Sequence, residues 1–156
     1  RALAMRPKLM LFDEPTSALD MSVQAQIVDL LRDLQERHNI AYLFISHDIG
    51  VVEHISDRIV IMYLGRIVEA GETEEIFAHP NHPYTQVLLR EVPRLEDRHH
   101  QFKPVEGEIP SPIDPPPGCY FHPRCPHATP RCREENPPLR DIGSGHLSAC
   151  HLNDQG

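Results

Sequence analysis

Leu9-Met10-Leu11-Phe12-Asp13-Glu14-Pro15-Thr16-Ser17-Ala18-Leu19-Asp20 is the stretch on which this 156-residue chain turns. Four apolar residues in a row read as a strand buried in a parallel sheet, and they end in two adjacent carboxylates. Open α/β sheets bind ligands in the crevice outside the carboxyl ends of their strands. Two acidic side chains delivered there suit a magnesium ion and a nucleotide. Asp13 and Glu14 can play separate roles because successive side chains on an extended backbone point to opposite sides, and Pro15 then turns the chain away. A plain strand-ending turn also uses acidic residues and proline. It would not be expected to bring Ser17 to Asp20, and a strand-ending histidine further on, along with it.

Working outward, residues 21 to 37 read as a helix, with Val23, Ile27, Leu30 and Leu34 at one-face spacing, Leu31 widening the stripe, and Asp20 as its N-cap. Ile40 to Ile45 is a second uniformly apolar run, read as a strand covered on both faces, and it ends at Ser46-His47. A right-handed crossover through the helix brings the two strand ends to one edge of the sheet, so His47 should meet the carboxylates. A short helix near Ile49 to His54 follows. The runs 58–64 and 66–70 flank Gly65 as a hairpin, and a last short helix covers 84–90.

Fourteen of the sixteen prolines lie between positions 80 and 138, and all four cysteines follow Pro115-Pro116-Pro117. Proline removes backbone donors and blocks helices and central strands, so this region needs something besides regular secondary structure to hold it. The domain boundary is expected near residues 93–103, giving an α/β part over 1–98 and an irregular module over 99–156. Cys119, Cys125, Cys132 and Cys150 are separated by five, six and seventeen residues. Four thiolates can close a tetrahedral zinc site or hold an iron-sulfur cluster, and the spacing alone leaves both open, with disulfides or unliganded thiols as a third choice. The histidines other than His47, including His122, His127, His146 and His151, are read as surface or tail residues.

Composition excludes several classes. The longest apolar runs are about a third of the roughly 20 residues needed to cross a bilayer. A net charge of -8 with both signs interspersed leaves no basic stripe, so no direct nucleic-acid binding is expected.

Asp13-Glu14, Ser17-Ala18-Leu19-Asp20 and Phe44-Ile45-Ser46-His47-Asp48 resemble, in that order, the Walker B segment, D-loop and switch histidine of ABC transporter ATP-binding subunits. The resemblance implies that Asp13 helps hold magnesium, Glu14 polarises the attacking water, Ser17, Ala18, Leu19 and Asp20 face a second ATP-binding subunit, and His47 contacts the γ-phosphate of ATP. The only lysines are Lys8 after Pro7 and Lys103 after Phe102, so the phosphate-cradling GxxxxGK[ST] loop is not in this sequence. By the resemblance that loop and the signature motif precede Arg1. The expectation is therefore the C-terminal part of an ABC-type P-loop NTPase domain, without the groups that would let this piece hydrolyse ATP alone.

His82-Pro83-Tyr84-Thr85-Gln86 with Leu88-Leu89, then Gly107 to Pro112, then Gly118-Cys119 through Cys132, is similar to the tail of dipeptide and oligopeptide importer ATP-binding subunits. That likeness implies a peripheral protein on the cytoplasmic face of the inner membrane, working with permease subunits. It also implies a 4Fe-4S cluster on Cys119, Cys125, Cys132 and Cys150, with Zn2+ as the alternative. Two other functions share parts of the pattern: an ABC-type ATPase of DNA repair, for which neither heptads nor a basic surface is present, and an importer of a related substrate such as nickel.

Overall fold

The computed structural model describes residues 2–90 and 107–154. The boundary expected near 93–103 falls outside the described residues. By compactness the chain divides into two units, Arg1–Ser56 and Asp57–Gly156, and together they make a mixed α/β protein with one parallel and one antiparallel sheet. Among the described residues no helix is long and apolar enough to cross a membrane.

In the first unit β1 (Leu9–Asp13), α1 (Met21–His38) and β2 (Ala41–Ile45) form a βαβ crossover, with α2 (Ile49–Ile55) after it. The strands pair in parallel from Leu9↔Ala41 to Asp13↔Ile45, so both chemical ends leave the same edge. Asp20 caps α1 by accepting from the Val23 amide at 3.0 Å, and Asp48 caps α2 by accepting from Val51 at 3.2 Å. Asn39 closes α1 in the left-handed region (φ 51°), its amide returning to Gln35.

Two expectations differ here. The buried stripe of α1 is rotated from the one read off the sequence: Val28 is 2% exposed while Leu30 is 50% exposed. The Tyr42 hydroxyl donates to the Leu31 carbonyl at 3.1 Å, which tethers the Val28–Leu31 side of α1 to β2. The described residues cover one face of the two strands. Phe12, Tyr42 and Phe44 pack with ring centroids 5.0 and 5.9 Å apart, whereas Leu9, Leu11, Leu43 and Ile45 stay about half exposed. The apolar runs carry more surface to bury than the described residues cover.

In the second unit β3 (Arg58–Tyr63) and β4 (Arg66–Glu72) form the hairpin. Leu64 and Gly65 both have positive φ, the combination of the type I′ turn whose twist suits antiparallel strands. The register slips between Ile61 and Met62, leaving Val68 as a bulge. α3 (Thr73–Ala78), in a stretch for which no element was expected, and α4 (Pro83–Arg90) follow.

Residues 107–154 are not wholly irregular. They hold α5 (Pro130–Glu134), β5 (Arg140–Asp141), β6 (Leu147–Ser148) and short 3-10 turns. β6 pairs with β4 through Glu69↔Ser148 and Ala70↔Leu147, giving the sheet order β3-β4-β6-β5. Phe121, 1% exposed, joins Tyr63 and Val68 in the core, with ring centroids 5.4 Å from Tyr63 and 5.5 Å from Tyr84.

Candidate functional site

The edge where β1 and β2 end is built by one added rung of ladder. The Glu14 amide donates to the Ile45 carbonyl at 2.9 Å, one residue past the end of β1. That bond turns Glu14 toward the segment carrying His47, and His47 Nδ1 lies 3.1 Å from Glu14 Oε1. A carboxylate only accepts, so the imidazole N–H is the donor. Both side chains are exposed, as groups that must reach a ligand are. Glu14 has φ 46°, a left-handed backbone that non-glycine residues rarely adopt and that clusters at working sites.

Asp13 ends β1 exposed, its carboxylate without a hydrogen bond or ion pair among the described residues. A hard cation held through one or two carboxylates, with phosphates and waters completing its shell, needs such a group. The following residues form two interlocked turns. The Ser17 amide and hydroxyl donate to the Glu14 carbonyl at 3.3 and 3.0 Å, and the Leu19 amide donates to the Thr16 carbonyl at 3.0 Å. Thr16 is 1% exposed, while Ser17, Ala18, Leu19 and Asp20 stand out to solvent. Asp20 has a local task as well: its carboxylate accepts from Ser22 Oγ at 2.7 Å and from the Val23 amide, which holds its pKa below the usual carboxylate value.

Sequence reasoning missed Gln24, a polar residue inside the helical stripe, whose carboxamide nitrogen donates to the Thr16 carbonyl at 3.0 Å and the Leu19 carbonyl at 3.2 Å. The only signal available was an amide four residues beyond an N-cap.

In the second unit the four cysteines are free thiols and all line one small cavity of about 20 Å³, together with His82, His122, His127, His151 and Phe121. Burial pushes the Cys119 and Cys125 thiols up, and pushes Cys150 up to about 11. Neighbouring thiols add to each shift. Gly118, at φ +70°, opens this segment where a Cβ would stand 2.5 Å from the Cys132 carbonyl oxygen, and the Cys119 amide donates to that same oxygen at 2.9 Å. Among the described residues no group of three or more His, Cys, Asp or Glu side chains is arranged to hold a metal ion.

Three histidines read as surface or tail residues are buried: His82, His146 and His151 at 1%, 5% and 8% exposure. Glu69, 0% exposed, accepts from the Asn81 amide at 2.7 Å, the His82 amide at 2.9 Å and His146 Nε2 at 2.6 Å. His151 Nε2 lies 3.0 Å from the Glu135 carbonyl, to which it donates. No periodicity in the sequence announces a buried carboxylate whose partner is 77 positions away.

Residues 68–132 match the family model described as the oligopeptide/dipeptide transporter C-terminal region. Over 97% of its length the chain is 54% identical to a probable peptide ABC transporter ATP-binding protein of Sinorhizobium fredii, of which it covers 43%. It is 49% identical to an oligopeptide transport ATP-binding protein of Bacillus subtilis over 97% of its length and 47% of that protein. A dipeptide transport ATP-binding protein of Haemophilus influenzae is 51% identical over 96% of the chain and 46% of its own length. The chain thus spans a little under half the length of the curated relatives it matches.

Proposed function

We propose, from the premise that this chain belongs to the family of peptide ABC transporter ATP-binding proteins, that the protein carrying it hydrolyses ATP to drive uptake of dipeptides or oligopeptides. The observation that carries this reading is the 3.1 Å contact between Glu14 and His47 at the shared edge of two parallel strands. In it, Glu14 orients and polarises the attacking water. Asp13 holds magnesium, which when bound neutralises phosphate charge. His47, oriented by Glu14 through one ring nitrogen, keeps the other for the γ-phosphate. Ser17, Ala18, Leu19 and Asp20 face a second ATP-binding subunit, and ATP favours the closed arrangement of the pair, so closure and reopening move membrane permease subunits. The protein works on the cytoplasmic face of the inner membrane.

The same reading gives Cys119, Cys125, Cys132 and Cys150 to a 4Fe-4S cluster. Four free thiols around one cavity support it. Zn2+ is the alternative occupant of the same four thiols. Iron and visible absorbance in protein purified without oxygen are expected; stoichiometric zinc without that absorbance would remove the cluster.

For the ATPase, Glu14→Gln keeps the shape of the side chain and removes its charge. Expected is nucleotide binding within about twofold of the parent and turnover lower by about 10² or more. Parent-like turnover would take Glu14 out of its role.

A further inference from the structure

We propose that Gln24 is a positioning residue for hydrolysis, a brace that fixes the exposed loop 17–20 and, through it, the backbone of Glu14. The inference rests on the reading of Glu14 given above and extends it to a residue whose carboxamide is bonded to backbone carbonyls.

Gln24 lies in the first full turn of α1, where its amide makes the first helical bond, to the Asp20 carbonyl at 2.9 Å. Helical side chains lean toward the helix N-terminus. The Gln24 carboxamide is thereby carried back over the loop that leads into the helix. Both atoms it meets there are carbonyl oxygens, of Thr16 and Leu19, so only its nitrogen fits, and the two hydrogens of that nitrogen serve two acceptors. The Thr16 carbonyl accepts twice, from the Leu19 amide as well as from Gln24.

These bonds run without a gap from helix to carboxylate. Gln24 ties the Thr16–Leu19 turn to α1. Ser17, inside that turn, holds the Glu14 carbonyl with its amide and hydroxyl. Glu14 sits at φ 46° with its amide on Ile45 and its carboxylate against His47. A backbone in the left-handed region persists only where its surroundings over-determine it. Here one carbonyl is held by Ser17, one amide by β2, and the turn beyond by Gln24. Without the brace the loop keeps its own turn bonds, Leu19 to Thr16 and Ser17 to Glu14, but loses its side-chain tie to α1, and Glu14 gains freedom to relax toward an ordinary backbone that moves its carboxylate. Displacements of about 1 Å in a catalytic group are enough to slow a reaction as much as 10²-fold.

The test uses the complete ATP-binding protein assembled with its partners. Gln24→Met keeps length and removes the donors; Gln24→Lys restores donors on a flexible stem; Gln26→Met makes the same change on the exposed face of α1. Expected for Gln24→Met is an unchanged melting curve, nucleotide affinity within about twofold, and kcat lower by about tenfold. Gln24→Lys should recover part of that loss, and Gln26→Met should match the parent. Parent-like kcat in Gln24→Met overturns the proposal, as does a loss of kcat that follows a loss of folded protein or of nucleotide affinity. Glu14→Gln, run alongside, separates the two ideas: if it hydrolyses normally the assignment of Glu14 fails, and if it is inactive while Gln24→Met is normal only the brace fails.

Discussion

Single residues in this chain are fixed by backbone geometry as much as by chemistry. Glu14 and Gly118 show the two ways this happens. Glu14 holds a left-handed backbone although it has a side chain, because its amide, carbonyl and carboxylate are each tied to a different neighbour. Gly118 needs its lack of a side chain twice over: φ is +70°, and a Cβ would press on the Cys132 carbonyl that receives the Cys119 amide. Gly118→Ala is therefore expected to lower stability by about 2–3 kcal/mol and to shift Cys119 away from the other thiols. Urea denaturation gives the first quantity, and the rates at which the four thiols react with a small alkylating reagent give the second, Cys119 speeding up relative to the rest.

At the scale of the element, α1 is the piece on which the site depends, since it returns the chain for parallel pairing and carries both Asp20 and Gln24. Its ends are closed by unlike means, a carboxylate at Asp20 and a left-handed asparagine at Asn39. Asparagine tolerates that backbone, glycine adopts it freely, and alanine is opposed by its Cβ. Asn39→Ala should lose about 1 kcal/mol and Asn39→Gly should stay within about 0.5 kcal/mol of the parent, read from chemical denaturation at constant slope. The hairpin turn at Leu64-Gly65 was legible because glycine marks it; the rotation of the α1 stripe toward Val28 was not. Periodicity finds a helix face to within a residue or so, and which neighbour fills the gap is decided by the strands beneath.

At the scale of the molecule, the second unit is held by a polar hub. Glu69 on β4 receives the amides of Asn81 and His82 and the ring of His146. One carboxylate thus joins the hairpin, the loop between α3 and α4, and the segment before β6. Beside it, burial lowers the His82 pKa from 6.5 to about 4, the Glu69 charge opposing only in part; its Nδ1 accepts the Tyr84 amide at 3.1 Å. A histidine that stays neutral when folded takes up a proton on unfolding once the pH is below 6.5. No penalty exists above that value; it grows as the pH falls and is complete below about 4, where it reaches roughly 3 kcal/mol. The urea midpoint of the protein should drop between pH 6.5 and 4, and His82→Gln should flatten that part of the profile. An unchanged slope in the variant would assign the acid sensitivity elsewhere.

What the sequence determined by itself was everything that depends on local order. The βαβ crossover, the helix cap at Asp20, the hairpin about Gly65 and the approach of Glu14 to His47 follow from apolar runs, capping residues and the handedness of parallel connections. Those are rules about neighbours in the chain. The tertiary structure alone decided that Glu69 is buried beside His146, that His82 stays neutral, and that a glutamine in a helix grips the loop before it. Each of these is a matter of which groups lose water and which partners they then find. Burial and pairing across 77 positions leave no periodic trace in a sequence, because the energy that selects them exists only once the distant segments have met.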